Sequence, residues 1–170
     1  MKRSGRTLKQ RLYGIKHVGS YLCRARYFRG HGVHSPYVYS IVRHVFMSSK
    51  LNTERTDLRD ALLRLDVPKR RATELQNLVA HCDYTSWGID TLQPCQMLIA
   101  TMATTFEQLM EYADYAREQG ITLCIMRPYN NAKRWAVCSQ IIEEHPSTSV
   151  DNRGYLLIFN NHLPKQRFRL

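Results

Sequence analysis

The sequence predicts an α/β protein in which a basic, helical N-terminal arm precedes a sheet that ends in an antiparallel hairpin. Three observations support this fold class. A capped apolar stripe with helical spacing begins near residue 35, short apolar strands alternate with helices after residue 83, and the charge is unevenly distributed. We expect a basic helical arm over residues 1–50, a helical connector over 51–82 and a reduced α/β domain over 83–170.

The predicted arm contains two helical patterns. Within residues 1–29, Leu8, Leu12 and Ile15 recur at spacings of three and four, as a helix requires. A second helix should begin at Ser35 and Pro36, since serine caps helices and proline fits the first helical turn. An apolar stripe then continues to about Met47, which indicates that one face of this helix is buried.

The rest of the chain is read from the same patterns. Residues 53–65 and 73–81 predict helices, joined by a short basic linker that contains Lys69, Arg70 and Arg71. Further on, residues 87–92, 96–100 and 121–126 predict strands, and residues 105–118 and 131–144 predict helices. Residues 147–150 and 155–159 predict a hairpin around the turn formers of residues 151–154.

Charge and composition limit the function classes. The 170-residue chain has a formal net charge of +11, and residues 1–50 hold eleven Lys and Arg but no Asp or Glu. No apolar run reaches the ~20 residues that span a bilayer, and no signal-peptide pattern is visible, so we expect a cytoplasmic protein without membrane partners. Five scattered cysteines indicate reduced thiols, and we expect Cys82, Cys95, Cys124 and Cys138 in the core.

Two stretches resemble a group of bacterial class I S-adenosylmethionine-dependent methyltransferases. One is the arm segment Arg29-Gly-His-Gly-Val-His-Ser-Pro-Tyr-Val-Tyr39, and the other is the tail from Lys133 through Pro146 to Phe159 and residues 164–168, with a looser match over residues 95–126. The resemblance implies a truncated Rossmann-like, class I methyltransferase-like sheet.

The chain also departs from that family where the family's chemistry lies. In such enzymes a glycine-rich loop after the first strand lets the backbone approach the cofactor, but here Gly88 is the only glycine between Gly32 and Gly120. About 100 residues follow Arg71, which is too short for a full doubly wound domain. Family carboxylates after later strands are replaced at residues 99–102 and 125–128, where Arg127 stands. The sequence therefore predicts a degenerate protein with no catalytic residues and no bound cofactor.

The basic arm is the main candidate for function. Its tyrosines alternate with Arg and Lys, a combination that neutralises phosphates and stacks on unpaired bases, so we predict binding of RNA, ribonucleoprotein or another polyanion. The predicted nucleic-acid-binding residues are Lys2, Arg3, Arg6, Lys9, Arg11, Lys16, Arg24, Arg26, Arg29, His31, His34 and Arg43. An acidic protein partner and the absence of any specific partner are the alternatives for this arm. A mitochondrial transit peptide is also rich in Arg and poor in acids, but the capped helix start and the resemblance to a folded part of a bacterial family argue against it.

Three further alternatives remain open. The chain could be an active methyltransferase whose atypical or partner-completed cofactor site holds S-adenosylmethionine beside Gly88 and Asp90. It could instead be a structural or interaction module that forms oligomers through its arm. His31 and His34 could supply zinc ligands, but no second Cys/His pair has finger-like spacing, so hydrogen bonds that fix the turn are the favoured interpretation and no metal is predicted.

Overall fold

The computed structural model describes residues 33–161 and 163–170. The helices are α1 (Pro36–Ile41), which continues as a π-helical turn over Val42–Phe46, α2 (Asp57–Arg64), α3 (Lys69–His81), α4 (Phe106–Glu118) and α5 (Ala132–Glu144). The strands are β1 (Trp87–Ile89), β2 (Met97–Ala100), β3 (Thr122–Met126), β4 (Ser149–Asp151), β5 (Tyr155–Ile158) and β6 (Arg167–Arg169). The predicted helical pattern within residues 1–29 lies outside the described residues.

The six strands form one mixed sheet in the order β1-β2-β3-β5-β4-β6. Strands β1, β2 and β3 are parallel, β5 pairs antiparallel with both β3 and β4, and β6 pairs parallel with β4. Five of the six strands therefore point the same way, and their carboxyl ends meet at one edge of the sheet. The α/β class and the C-terminal antiparallel hairpin are both confirmed.

Helices cover both faces of the sheet. Helices α1, α2 and α3 pack on one face, where Ile41, Leu62 and Leu75 share a buried cluster with Met97 and Leu157. Helices α4 and α5 pack on the other face, around Leu98, Leu123 and Leu156. Because residues of α1 and α2 lie in the same cluster as residues of the strands, the described parts of the arm and connector share one core with the sheet.

Side-chain caps set the start of three helices. The Ser35 hydroxyl accepts a hydrogen bond from the Val38 N–H, as expected from the Ser-Pro signal. Thr105 and Gln108 form a reciprocal capping box at α4, and Asn131 accepts from the Arg134 N–H at α5. These polar side chains accept hydrogen bonds from backbone N–H groups of the first helical turn, and they mark where each helix begins.

Two segments differ from the sequence expectations. Lys69, Arg70 and Arg71 form the first turn of α3 rather than a linker, since Pro68 precedes them with the extended backbone that starts a helix. Strand β6 was not expected, because its alternation of Arg167, Phe168 and Arg169 is too short and too polar to predict a strand. It lies at the edge of the sheet, where arginines remain solvated.

The connection between β1 and β2 is unusually short for two parallel neighbours. Parallel strands normally need a dozen or more residues to cross over, yet residues 90–96 make this connection. The returning loop passes over Gly88, where an added Cβ would lie 3.3 Å from both the Thr91 carbonyl oxygen and the Gln93 Nε2. A side chain at residue 88 would therefore crowd this loop, which lies against β1.

Of the four cysteines in the described ranges, Cys124 and Cys138 are buried and Cys82 and Cys95 are half-buried. All four are free thiols, and the expectation that they lie in the core holds fully for the first two. None of the helices in the described part of the chain combines the length and apolarity needed to cross a bilayer.

Candidate anion-binding pocket

A basic pocket of about 400 Å³ lies at the carboxyl edge of the sheet. Its lining includes the residue after β3, the hairpin turn between β4 and β5, and the start of α3; the residues are Pro68, Arg71, Met126, Arg127, Tyr129, Asn130, Arg153 and Gly154. Ligands of open α/β sheets bind at this edge, because loops rather than strands enclose the space there. Three arginines and no carboxylate are among the lining residues.

Arg71 is held in place by a buried carboxylate. Glu74 is fully buried and forms ion pairs with Arg70 at 2.9 Å and with Arg71 at 2.5 Å. The Tyr155 hydroxyl donates to the same carboxylate at 3.1 Å, and the Arg71 guanidinium lies 5.6 Å from the Tyr155 ring centroid. Burial, followed by the charge of Glu74, raises the pKa of Tyr155, so this hydroxyl remains a donor. The guanidinium group of Arg71, which forms one wall of the pocket, is therefore held in a fixed orientation.

Arg127 and Arg153 face the pocket from strained backbone positions. Their φ angles are 48° and 56°, in the left-handed region that disfavours side chains larger than glycine, asparagine or aspartate. The Arg127 N–H donates to the Gly154 carbonyl at 2.8 Å, which joins the end of β3 to the hairpin turn. Within the described residues the Arg127 guanidinium has no ion-pair partner and is exposed.

Asp151 holds two of the residues that line the pocket. This carboxylate is 1% exposed, accepts a hydrogen bond from the Tyr129 hydroxyl and accepts another from the Arg153 N–H at 2.8 Å. The Tyr129 ring in turn stacks on Trp135, with centroids 4.3 Å apart. An aromatic surface therefore adjoins the three arginines.

Next to this pocket, a buried arginine binds backbone carbonyl groups at the ends of β2 and β3. Arg134 is 1% exposed and donates to three carbonyl oxygens, those of Met126 at 3.2 Å, Thr104 at 3.4 Å and Thr101 at 2.8 Å. Burial lowers the pKa of its guanidinium, and Asp90 partly opposes that shift. Arg134 has a structural role, because no other side chain in the described ranges donates to these three carbonyl oxygens.

Gly88 and Asp90, the positions considered for S-adenosylmethionine, both contact neighbouring loops of the chain. Thr91 and Gln93 cover the face of Gly88. Asp90 accepts from the Thr101 N–H at 2.7 Å, from the Thr104 hydroxyl at 2.5 Å and from the Thr101 hydroxyl, so both carboxylate oxygens are occupied. Asp90 therefore joins the loop after β1 to the loop after β2.

The structure describes only two of the predicted nucleic-acid-binding residues. His34 and Arg43 are both exposed, the first before α1 and the second on the π-helical turn. The other ten, Lys2, Arg3, Arg6, Lys9, Arg11, Lys16, Arg24, Arg26, Arg29 and His31, lie outside the described residues. Among the residues that are described, no three His, Cys, Asp or Glu side chains are grouped as a metal site would require.

Sequence reasoning overlooked the pocket arginines. Arg127 was noted only as a replacement for a carboxylate, Arg71 as part of a linker, and Arg153 as a turn residue. The signal available was that cations follow the ends of β3 and β4, where polar residues of an α/β protein converge on one edge.

The fold and the pocket together define an α/β protein with a basic pocket of about 400 Å³ at the carboxyl edge of its sheet. Comparison of this chain with family models, with curated proteins and with solved structures finds no match.

Proposed function

We propose that this is a non-catalytic, methyltransferase-like α/β protein that binds RNA, ribonucleoprotein or another polyanion. The observation that carries the proposal is the convergence of cations on the carboxyl edge of the sheet, where Arg71, Arg127 and Arg153 line one pocket. The acid-free stretch of residues 1–50 adds eleven cations to the same chain. Such a charge distribution attracts phosphates and releases their counterions on binding.

The Rossmann-like part of the proposal has its own support. Five strands share one direction, helices cover both faces, and the pocket lies at the carboxyl edge, as in doubly wound domains. The short connection over residues 90–96 stands where a full domain would continue through further βα units. In this proposal the short connection replaces those units, and neither Gly88 nor Asp90 is assigned a catalytic function.

The test is the salt dependence of RNA binding by the full chain. Fluorescence anisotropy with a labelled single-stranded RNA, measured from about 50 to 300 mM KCl, should show affinity that falls linearly on a log–log plot. Replacing Arg24, Arg26 and Arg29 together by Ala should weaken binding almost equally for different RNA sequences. The matched control replaces Arg64, Arg117 and Lys133 by Ala, three exposed cations on α2, α4 and α5, and should bind like the parent. Undetectable binding at low salt, or binding indifferent to salt, would overturn the proposal.

The methyltransferase alternative has a direct test. Calorimetric titration of the full chain with S-adenosylmethionine and S-adenosylhomocysteine should give no saturable heat, since the proposal holds that Gly88, against which Thr91 and Gln93 lie, does not form a cofactor loop. Saturable binding of either molecule would replace the non-catalytic proposal. The interaction-module alternative predicts that deletion of residues 1–32 changes the number of chains per particle, measured by light scattering, whereas the present proposal predicts that this number stays the same.

A further inference from the structure

The start of α3 contributes unfavourable electrostatics at the pocket. The N-terminus of a helix carries partial positive charge and ordinarily attracts Asp or Glu, yet the first turn of α3 holds Lys69, Arg70 and Arg71 and no acidic residue. Pro68, the residue before the helix, makes no side-chain cap. Glu74 neutralises part of this charge, but only one carboxylate is shared between two arginines. An anion at this position would offset the remaining repulsion.

Backbone strain is a second energetic cost at this pocket. Six non-glycine residues in the described ranges have positive φ; four are Asp or Asn, which tolerate this conformation, and the other two are Arg127 and Arg153. Strain of this kind persists where a side chain is needed at a particular position. Both strained arginines line the pocket that the first turn of α3 adjoins. Two independent local costs therefore converge on one cavity.

The remaining groups of the pocket suit a nucleotide. Asn130 lines it, and the side-chain amide of this residue has no hydrogen-bond partner in the described part of the chain. The Tyr129 ring, backed by Trp135, offers a flat surface for a base. A volume of about 400 Å³ lies within the range of small-ligand sites and cannot hold a folded nucleic-acid segment.

From these observations we infer that the pocket binds the terminal phosphomonoester of a single-stranded RNA, with the attached nucleotide against Tyr129. A terminal phosphate carries about two negative charges near neutral pH and presents three oxygens, whereas an internal phosphodiester carries one charge and two free oxygens. Three arginines line the cavity and match the terminal group, since guanidinium groups donate charge-assisted hydrogen bonds to phosphate oxygens. The inference deepens the proposed function and rests on it.

The experiment compares three RNAs of identical sequence, bearing a 5′-phosphate, a 3′-phosphate or hydroxyls at both ends, with the full chain at about 150 mM KCl. We expect one phosphorylated end to bind about tenfold more tightly than the hydroxyl RNA, as two or three added charge-assisted hydrogen bonds would give. The two phosphorylated RNAs identify which end is recognised. Equal affinity for all three would overturn the inference and leave the proposed function standing. Absence of binding to any of them at about 50 mM KCl would overturn both.

A double substitution, Arg127→Asn with Arg153→Asn, tests the residues. It should remove the preference for the phosphorylated end, while the matched control Arg64→Asn with Arg117→Asn should retain it. Asparagine tolerates the left-handed conformation, so the melting temperature of the double variant should be no lower than that of the parent. A variant that keeps the end preference would contradict the assignment. If the double variant unfolds, competition between inorganic phosphate and chloride at matched ionic strength replaces it, and equal competition by the two ions would contradict the inference.

Discussion

Arg71 of α3 packs directly against Gly154 of the hairpin turn, although the two residues are 83 positions apart in the sequence. A Cβ built on Gly154 would lie 2.8 Å from the Arg71 Cζ and 3.0 Å from its Cδ. The close approach places the guanidinium over the turn and allows the ion pair with Glu74. The absence of a side chain at residue 154 therefore determines the position of one pocket wall.

Gly154→Ala should lower the free energy of unfolding by about 1–3 kcal/mol, the usual cost of forcing a methyl group into a packed site. Arg71 cannot withdraw without disturbing its ion pair with Glu74. Urea denaturation measures the effect. In the double variant Arg71→Ala with Gly154→Ala, the cost of the second substitution should largely disappear, because the clashing atoms are gone. Additive costs would show that the two residues are not in conflict.

Arg134→Met should cost about 2–4 kcal/mol, since methionine fills the space but leaves three backbone carbonyls without donors. The neighbouring Lys133 is exposed, and Lys133→Met is the matched control with an expected change within about 0.5 kcal/mol. Chemical denaturation monitored by circular dichroism compares them. Equal stability of the two variants would contradict the structural role given to Arg134.

Asp90→Ala should destabilise the protein by about 2 kcal/mol, because the Thr101 N–H and two threonine hydroxyls lose their acceptor. Asp90→Asn retains one acceptor oxygen and should cost about half as much. Asp83 is exposed and has nearly the same φ as Asp90, 54° against 51°, so Asp83→Ala controls for the backbone effect. Urea titrations should rank Asp90→Ala as the most destabilising of the three. A different ranking would show that the carboxylate does not organise these loops.

His145 should make the protein less stable in acid. Burial lowers the pKa of this imidazole to about 4, and its Nδ1 accepts from the Ser147 N–H at 2.9 Å, which requires the neutral ring. A base with a depressed folded-state pKa favours unfolding once protonated, so its contribution is complete above pH 6.5 and is lost as pH falls from 6.5 to 4. The loss should be about 3 kcal/mol, since each unit of pKa difference between the folded and unfolded states corresponds to about 1.4 kcal/mol.

The measurement is the free energy of unfolding from pH 7 to pH 4, for the parent and for His145→Asn. Asparagine keeps an acceptor near the Nδ1 position and does not titrate, so the variant should lack this part of the pH dependence. Parallel curves for parent and variant would show that other groups cause the acid sensitivity.

Local patterns in the sequence predicted most elements of the fold, because helix periodicity, caps and hairpin residues act over a few positions. Ser35, Thr105 and Asn131 mark their helices clearly. The start of α3 was missed since Lys69, Arg70 and Arg71 oppose the usual preference for acids in a first turn. The pocket could not be predicted, because its arginines are 26 or more positions apart and meet only through the order of strands in the sheet.

The short return between β1 and β2 also affects how the chain folds. In most α/β proteins a parallel pair forms only after a whole crossover helix is in place, so its loop closure is costly. Here the register joins Trp87 to Met97 across one brief loop. Because the entropy lost on closing a loop grows with its length, this pair can form before α4 and α5 dock. Pairing of these two parallel strands is therefore a local event, which does not have to wait for a crossover helix to form.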